Sequence, residues 1–92
     1  MSPSSVSPTR KLVKRFRDAL VEDFRRLGLG EVEVQYELLS GTKLVRLYVI
    51  ADKFNRLLHS ERQRVVWRVA DEVFTEAQCR KISMILTLAS GE

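Results

Sequence analysis

The stretch that decides the fold is Val45-Arg46-Leu47-Tyr48-Val49-Ile50, followed by Ala51-Asp52-Lys53-Phe54 and, further on, by a stripe of Val65, Val66, Val69, Ala70, Val73 and Phe74. From Leu44 to Ile50 the residues are apolar at both parities, Arg46 excepted. A strand of that kind is buried on both faces and belongs near the centre of a sheet. The later stripe recurs at steps of three and four, as on one face of an amphipathic helix. Ser60 and Gln63 have the spacing of a capping box that would open this helix. Ala51 to His59 reads as an irregular connection with room for one helical turn.

Working outward, Ser40-Gly41-Thr42 is a turn. Before it, Val32, Val34, Tyr36 and Leu38 alternate with Glu33, Gln35 and Glu37, the pattern of a half-buried strand. The short loop makes the two strands an antiparallel hairpin. Between Arg10 and Leu27, apolar residues from Leu12 through Phe16, Leu20 and Phe24 line one face of a first helix. Thr9 is placed to cap its start, and Gly28 and Gly30 to stop it. After the second helix fades around Phe74 to Gln78, Ile82 to Leu88 reads as a third strand with Ile82, Met84, Leu86 and Leu88 on one face. The expected fold is α+β, in the order helix-strand-strand-helix-strand. A three-stranded mixed sheet carries both helices on one face, with a right-handed crossover joining its parallel pair. Met1 to Thr9, rich in Ser and Pro, reads as a flexible tail, and residues 10–92 as a single domain.

Composition bounds the function. Lysine and arginine outnumber aspartate and glutamate by 16 to 12 in 92 residues, for a net charge of +4. That permits an anionic partner such as DNA or RNA without requiring one. The lone cysteine, Cys79, excludes a disulfide within the chain and points to a reducing compartment, hence the cytoplasm. No apolar run reaches the ~18 residues of a membrane span, so no membrane role is expected.

Chemistry is sparse. His59 and Cys79 are the only histidine and cysteine. They make at best a Cys–His pair if folding brings them together, and they fall short of the four ligands of a structural zinc site. Leu27-Gly28-Leu29-Gly30 follows a helix and precedes a strand, the reverse of a dinucleotide-binding turn. No catalytic residue, metal site or cofactor is therefore expected. Glu31, Glu33, Glu37, Asp71 and Glu72 read as solvated faces, the last two beside Arg68 in i, i+4 pairing.

The basic residues are more informative. Arg10, Lys11, Lys14, Arg15 and Arg17 crowd the start of the first helix, where cations oppose the helix dipole. Arg56, Arg62, Arg64 and Arg68 surround the second helix, and Arg80 and Lys81 precede the third strand. Arg56, Arg62, Arg64, Arg80 and Lys81 are the candidate contacts to nucleic acid or a partner, through phosphate or carboxylate pairing. The alternative for one of Arg62 and Arg64 is a structural role, bonding to backbone carbonyls of the Phe54 loop. Trp67 is read as a core-edge residue.

The segment Val45 to Phe54 resembles the strand and following Phe of BolA-like proteins. Phe54 stands eight residues before Arg62 and ten before Arg64, similar to that family's Phe followed by its Arg-His-Arg motif, with Gln63 in place of the His. The resemblance implies a fold like the type II KH domain and a non-enzymatic protein of transcriptional regulation. It also implies, as an alternative, an adaptor for a monothiol glutaredoxin that shares a [2Fe-2S] cluster. The family's cluster ligands are a His near the third strand and a His or Cys near the hairpin. Here those places hold Arg80, Lys81, Ile82 and Ser83, and Ser40 to Leu44, and none of these is an iron ligand. A further alternative is a homodimer formed through a sheet edge.

Overall fold

The computed structural model describes residues 8–90, so the expected tail lies, through residue 7, outside the described residues. A helix α1 (Pro8–Leu27) leads into strands β1 (Glu33–Leu38) and β2 (Val45–Ile50). A 3-10 turn, Asp52–Arg56, then precedes helix α2 (His59–Val73), a single-turn helix α3 (Glu76–Cys79) and strand β3 (Ile82–Leu88). The sheet order is β1-β2-β3, with β1 antiparallel and β3 parallel to β2. This is the expected α+β architecture, with β2 central.

α1 starts at Pro8, ahead of the expected cap Thr9, which lies inside the first turn. Proline suits the first helical position, where its missing N–H has no partner to lose. At the other end, the Leu29 amide donates to Phe24 O at 2.9 Å and the Gly28 amide to Arg25 O at 3.3 Å. With Gly28 at φ +70° this is a Schellman motif, which needs a residue tolerant of the left-handed region. The expected capping box at Ser60 and Gln63 is not the one formed. α2 begins two residues earlier, with the Glu61 carboxylate accepting from the Leu58 amide at 2.8 Å. A reciprocal box opens α3 instead, between Thr75 and Gln78.

The core lies between the two long helices and one sheet face. Phe16, Leu20 and Phe24 from α1 meet Val66, Val69 and Ala70 from α2 over Leu47, Val49 and Ile85. Phe54 is fully buried and meets the Phe24 ring edge-on at 5.6 Å. The two helices are also joined by charge. Asp23, 5% exposed, accepts from Arg68 at 2.6 Å and from Arg26 at 2.8 Å. Arg68 therefore serves α1 rather than pairing with its helix neighbours Asp71 and Glu72.

Two strands sit differently from their sequence patterns. β1 is more exposed than a half-buried strand. Only Val34 is partly covered, while Leu38 is 61% exposed, because β1 is the sheet edge and the core sits over β2. In β3, Met84, Leu86 and Leu88 share a face, but it is the face without helices, opposite Arg46, Tyr48 and Ile50. Ile85 and Thr87 point to the core. Ile82 leaves the row, because the register slips between Val45 and Arg46 and Ile82 packs against the core. The extra residue there, Ser83, turns its hydroxyl to Val45 O at 3.3 Å, a bulge held by a side chain.

Candidate nucleic-acid interface

The five expected contact residues do not form one site. Arg62 is committed to the fold. Its Nε donates to Phe54 O at 2.8 Å and Leu57 O at 3.3 Å, its Nη1 to Thr87 O at 3.4 Å, and its guanidinium lies 5.6 Å from the centre of the Phe54 ring. The eight-residue spacing thus lets α2 reach back and clamp the loop that precedes it. Arg80 pairs with Glu76 at 2.6 Å. Arg56 and Arg64 are exposed, as is Lys81. Arg56 precedes α2 whereas Arg80 and Lys81 follow α3, so the length of α2, about 22 Å at 1.5 Å per residue, lies between them.

Gln63, next to Arg62, also turns inward. Its Nε2 donates to Ile85 O at 2.9 Å, and its Oε1 accepts from Trp67 Nε1 at 3.1 Å. Trp67 packs half-buried against the core, as expected. A carboxamide supplies donor and acceptor at once, which this bridge from Trp67 to β3 uses.

The structure gathers a different set of cations. Arg10, Lys11, Lys14 and Arg17 of α1 line a cleft of about 380 Å³ against Val13, Val34 and Tyr36. It meets a wider cleft of about 910 Å³ at Arg17 and Val34, which runs on past Arg25 to Lys53 and the Gly28–Gly30 turn. Three features position this groove. α1 winds its basic stripe beside its core stripe. β1, at the sheet edge, leaves Tyr36 partly exposed. The Schellman turn then carries the chain directly from one wall to the other. The first turn of α1 contains no acidic residue, so no carboxylate sits there to favour the helix dipole. The cations have partners, Lys14 with Asp18 at 3.2 Å and Arg25 with Glu22 at 3.0 Å, but these are exposed pairs. Such pairs contribute only about 0–1 kcal/mol, so a phosphate can compete for them.

The chain matches no protein-family model and no curated protein sequence. What the site can do must come from its own side chains.

The Cys–His pair is not assembled. His59 opens α2, while Cys79 closes α3 near Asp71, whose charge acts on it. Burial first, and then Asp71, push the Cys79 thiol above its ordinary pKa, which holds it protonated rather than as a nucleophile or ligand. Among the described residues no three His, Cys, Asp or Glu side chains converge on a metal position. The residues present do not fit an iron-sulfur cluster, since Ser40 to Leu44 and Arg80 to Ser83 supply neither thiolate nor imidazole. No described helix is long and apolar enough to cross a membrane. The link between α2 and α3, Phe74-Thr75, contains no glycine, so it lacks the GXXG loop with which KH domains clamp a nucleic-acid backbone.

The α1 cations stand out in the sequence against the helix dipole, yet they are not among the five expected contacts, and Tyr36 reads there only as one apolar member of a strand. The signal that pointed to the groove was the placement of cations where the helix dipole disfavours them.

Proposed function

We propose that this protein is a BolA-like, non-enzymatic binding module with a type II KH-like fold, and that it holds single-stranded nucleic acid in the groove between α1 and β1. The observation that carries this reading is the convergence of Arg10, Lys11, Lys14 and Arg17 on one cleft with Tyr36 in its wall. Cations along a groove with an aromatic platform are the two elements of sequence-tolerant single-strand binding. The family assignment draws support from the clamp of Arg62 on Phe54, which gives the motif spacing a mechanical purpose, and from the matching order of elements. The separation of His59 from Cys79 supports a non-enzymatic role.

The test is fluorescence anisotropy with labelled single-stranded DNA and RNA oligonucleotides at several salt concentrations. Each neutralised phosphate of a single strand contributes about −0.7 to the log–log salt slope, so three or four contacts give roughly −2 to −3. Replacing Lys11 and Lys14 together by Ala is expected to reduce that slope by about 1.4. No binding at about 50 mM salt, where such contacts are strong, would sink the reading.

A further inference from the structure

The helices cover one face of the sheet, and the other face is organised into strips. Along β1 run Glu33, Gln35 and Glu37, all exposed. Along β3 run Met84, Leu86 and Leu88, with Met84 43% exposed. Between them β2 contributes Arg46, Tyr48 and Ile50, each half-buried. The strips are held in place: the Glu37 carboxylate accepts from Tyr48 Oη at 3.0 Å and from Arg46 Nη1 at 3.3 Å. The Glu33 carboxylate accepts from Gln35 alongside it.

We infer that this face docks a basic amphipathic helix of a partner protein, lying along β2. The dimensions fit. The acidic and apolar strips are two strand spacings apart, about 10 Å, close to the 10–12 Å diameter of a helix with its side chains. A helix laid along six-residue strands would touch both strips over about 20 Å, or roughly 13 residues. Its apolar side would meet Met84, Leu86, Leu88 and Ile50, and its cationic flank would meet Glu33 and Glu37. The charge selects this class of partner. Two carboxylates against one guanidinium leave the face acidic on a protein whose total charge is +4. Nucleic acid would be repelled by the Glu33–Glu37 strip, so the face is complementary to a cationic protein segment. It borders the wider part of the α1–β1 groove at Glu33 and Ile50, but the cationic cleft of Arg10, Lys11, Lys14 and Arg17 is lined by the other face of β1, at Val34 and Tyr36, and the inference stands whether or not that cleft binds nucleic acid.

The test uses a labelled 14-residue helical peptide of Leu and Lys, with Leu along one face and Lys on one flank. A control peptide replaces the Lys residues by Glu. Amide shifts of the full-length protein are followed by NMR on titration with each. Perturbations centred on Glu33 to Glu37, Tyr48 and Met84 to Leu88, with the Lys peptide only, are expected. Glu33→Lys and Met84→Asp, both at exposed positions, should each weaken binding at least tenfold while leaving the protein folded. A saturating oligonucleotide should not displace the peptide. Shifts confined to the helical side, equal binding of the Glu peptide, or unchanged affinity in both variants would overturn the inference. So would concentration-dependent self-association that buries Met84, which would make a second copy of this chain the occupant.

Discussion

Replacing Arg62 by Ala separates a structural arginine from a phosphate contact, because the two roles predict opposite results. The well-made bond to Phe54 O at 2.8 Å is charge-assisted and contributes roughly 1.5–3 kcal/mol. The bonds to Leu57 O and Thr87 O, at 3.3 and 3.4 Å, are long, and together we take them at about 1 kcal/mol. Stacking over Phe54 adds about 0.5–1 kcal/mol. Arg62 is only partly buried, so water takes over some of the freed carbonyls, and the net loss is about 2–3 kcal/mol. For a domain of this size each kcal/mol moves Tm by about 4–8 °C, so the midpoint should fall by roughly 8–24 °C. Far-UV circular dichroism during heating and urea unfolding measures this, while anisotropy with a single-stranded oligonucleotide, below the midpoint, should show unchanged salt dependence. Arg62→Lys keeps the charge but not the fork and should recover less than half of the loss. A variant with wild-type stability and weakened oligonucleotide binding would refute the structural role.

Tyr36→Ala should weaken oligonucleotide binding by about 1–3 kcal/mol, the contribution of one stacked base, whereas Tyr36→Phe should not. Tyr36→Phe should leave the melting midpoint in place, and Tyr36→Ala should lower it modestly, since the residue is 36% exposed, so binding is compared well below either midpoint. Arg68→Ala leaves Asp23 buried with the ion pair to Arg26. We expect a loss of about 2 kcal/mol in urea unfolding, below the 3–5 of a fully buried pair because Arg68 is half exposed. For Cys79, iodoacetamide labelling should show its pH midpoint above that of the same thiol in urea, and coincident midpoints would contradict the burial argument. The sign for stability follows. The unfolded chain releases the thiol proton first, so the contribution of this group is intact below the ordinary thiol pKa and declines as pH rises towards the folded value.

The central strand was legible because apolar residues at both parities have one explanation, burial on two sides. The helices were legible because glycines at 28 and 30 and a three-four stripe agree. β3 was harder. Both of its faces are apolar, and the core side includes Thr87, so alternation alone could not show that Met84, Leu86 and Leu88 face outward. The Ser83 bulge further broke the phase at Ile82. The caps of α2 differed because Leu58 offers only its backbone amide, and Glu61 satisfies it without a capping hydroxyl. The site was half legible: charge at the start of α1 stood out against the helix dipole, but the wall opposite depends on β1 lying at the edge, which is a property of strand order. A structural role for one of Arg62 and Arg64 is legible in the sequence, but the bridge of Gln63 to β3 is not, because its partner there is more than twenty residues away.

The carbonyls of Ile85 and Thr87, which accept from Gln63 and Arg62, bear on assembly. They lie on β3, an outer strand of the sheet, and α2 has already occupied them. β1 is the other outer strand, and there Glu33 and Glu37 of two antiparallel copies would face each other. Neutralising those carboxylates would make β1 the easier edge to extend. Two molecules joined β1 to β1 would then present β3 edges on which the Ile85 and Thr87 carbonyls are already taken. Further strand addition would have to displace α2 side chains first.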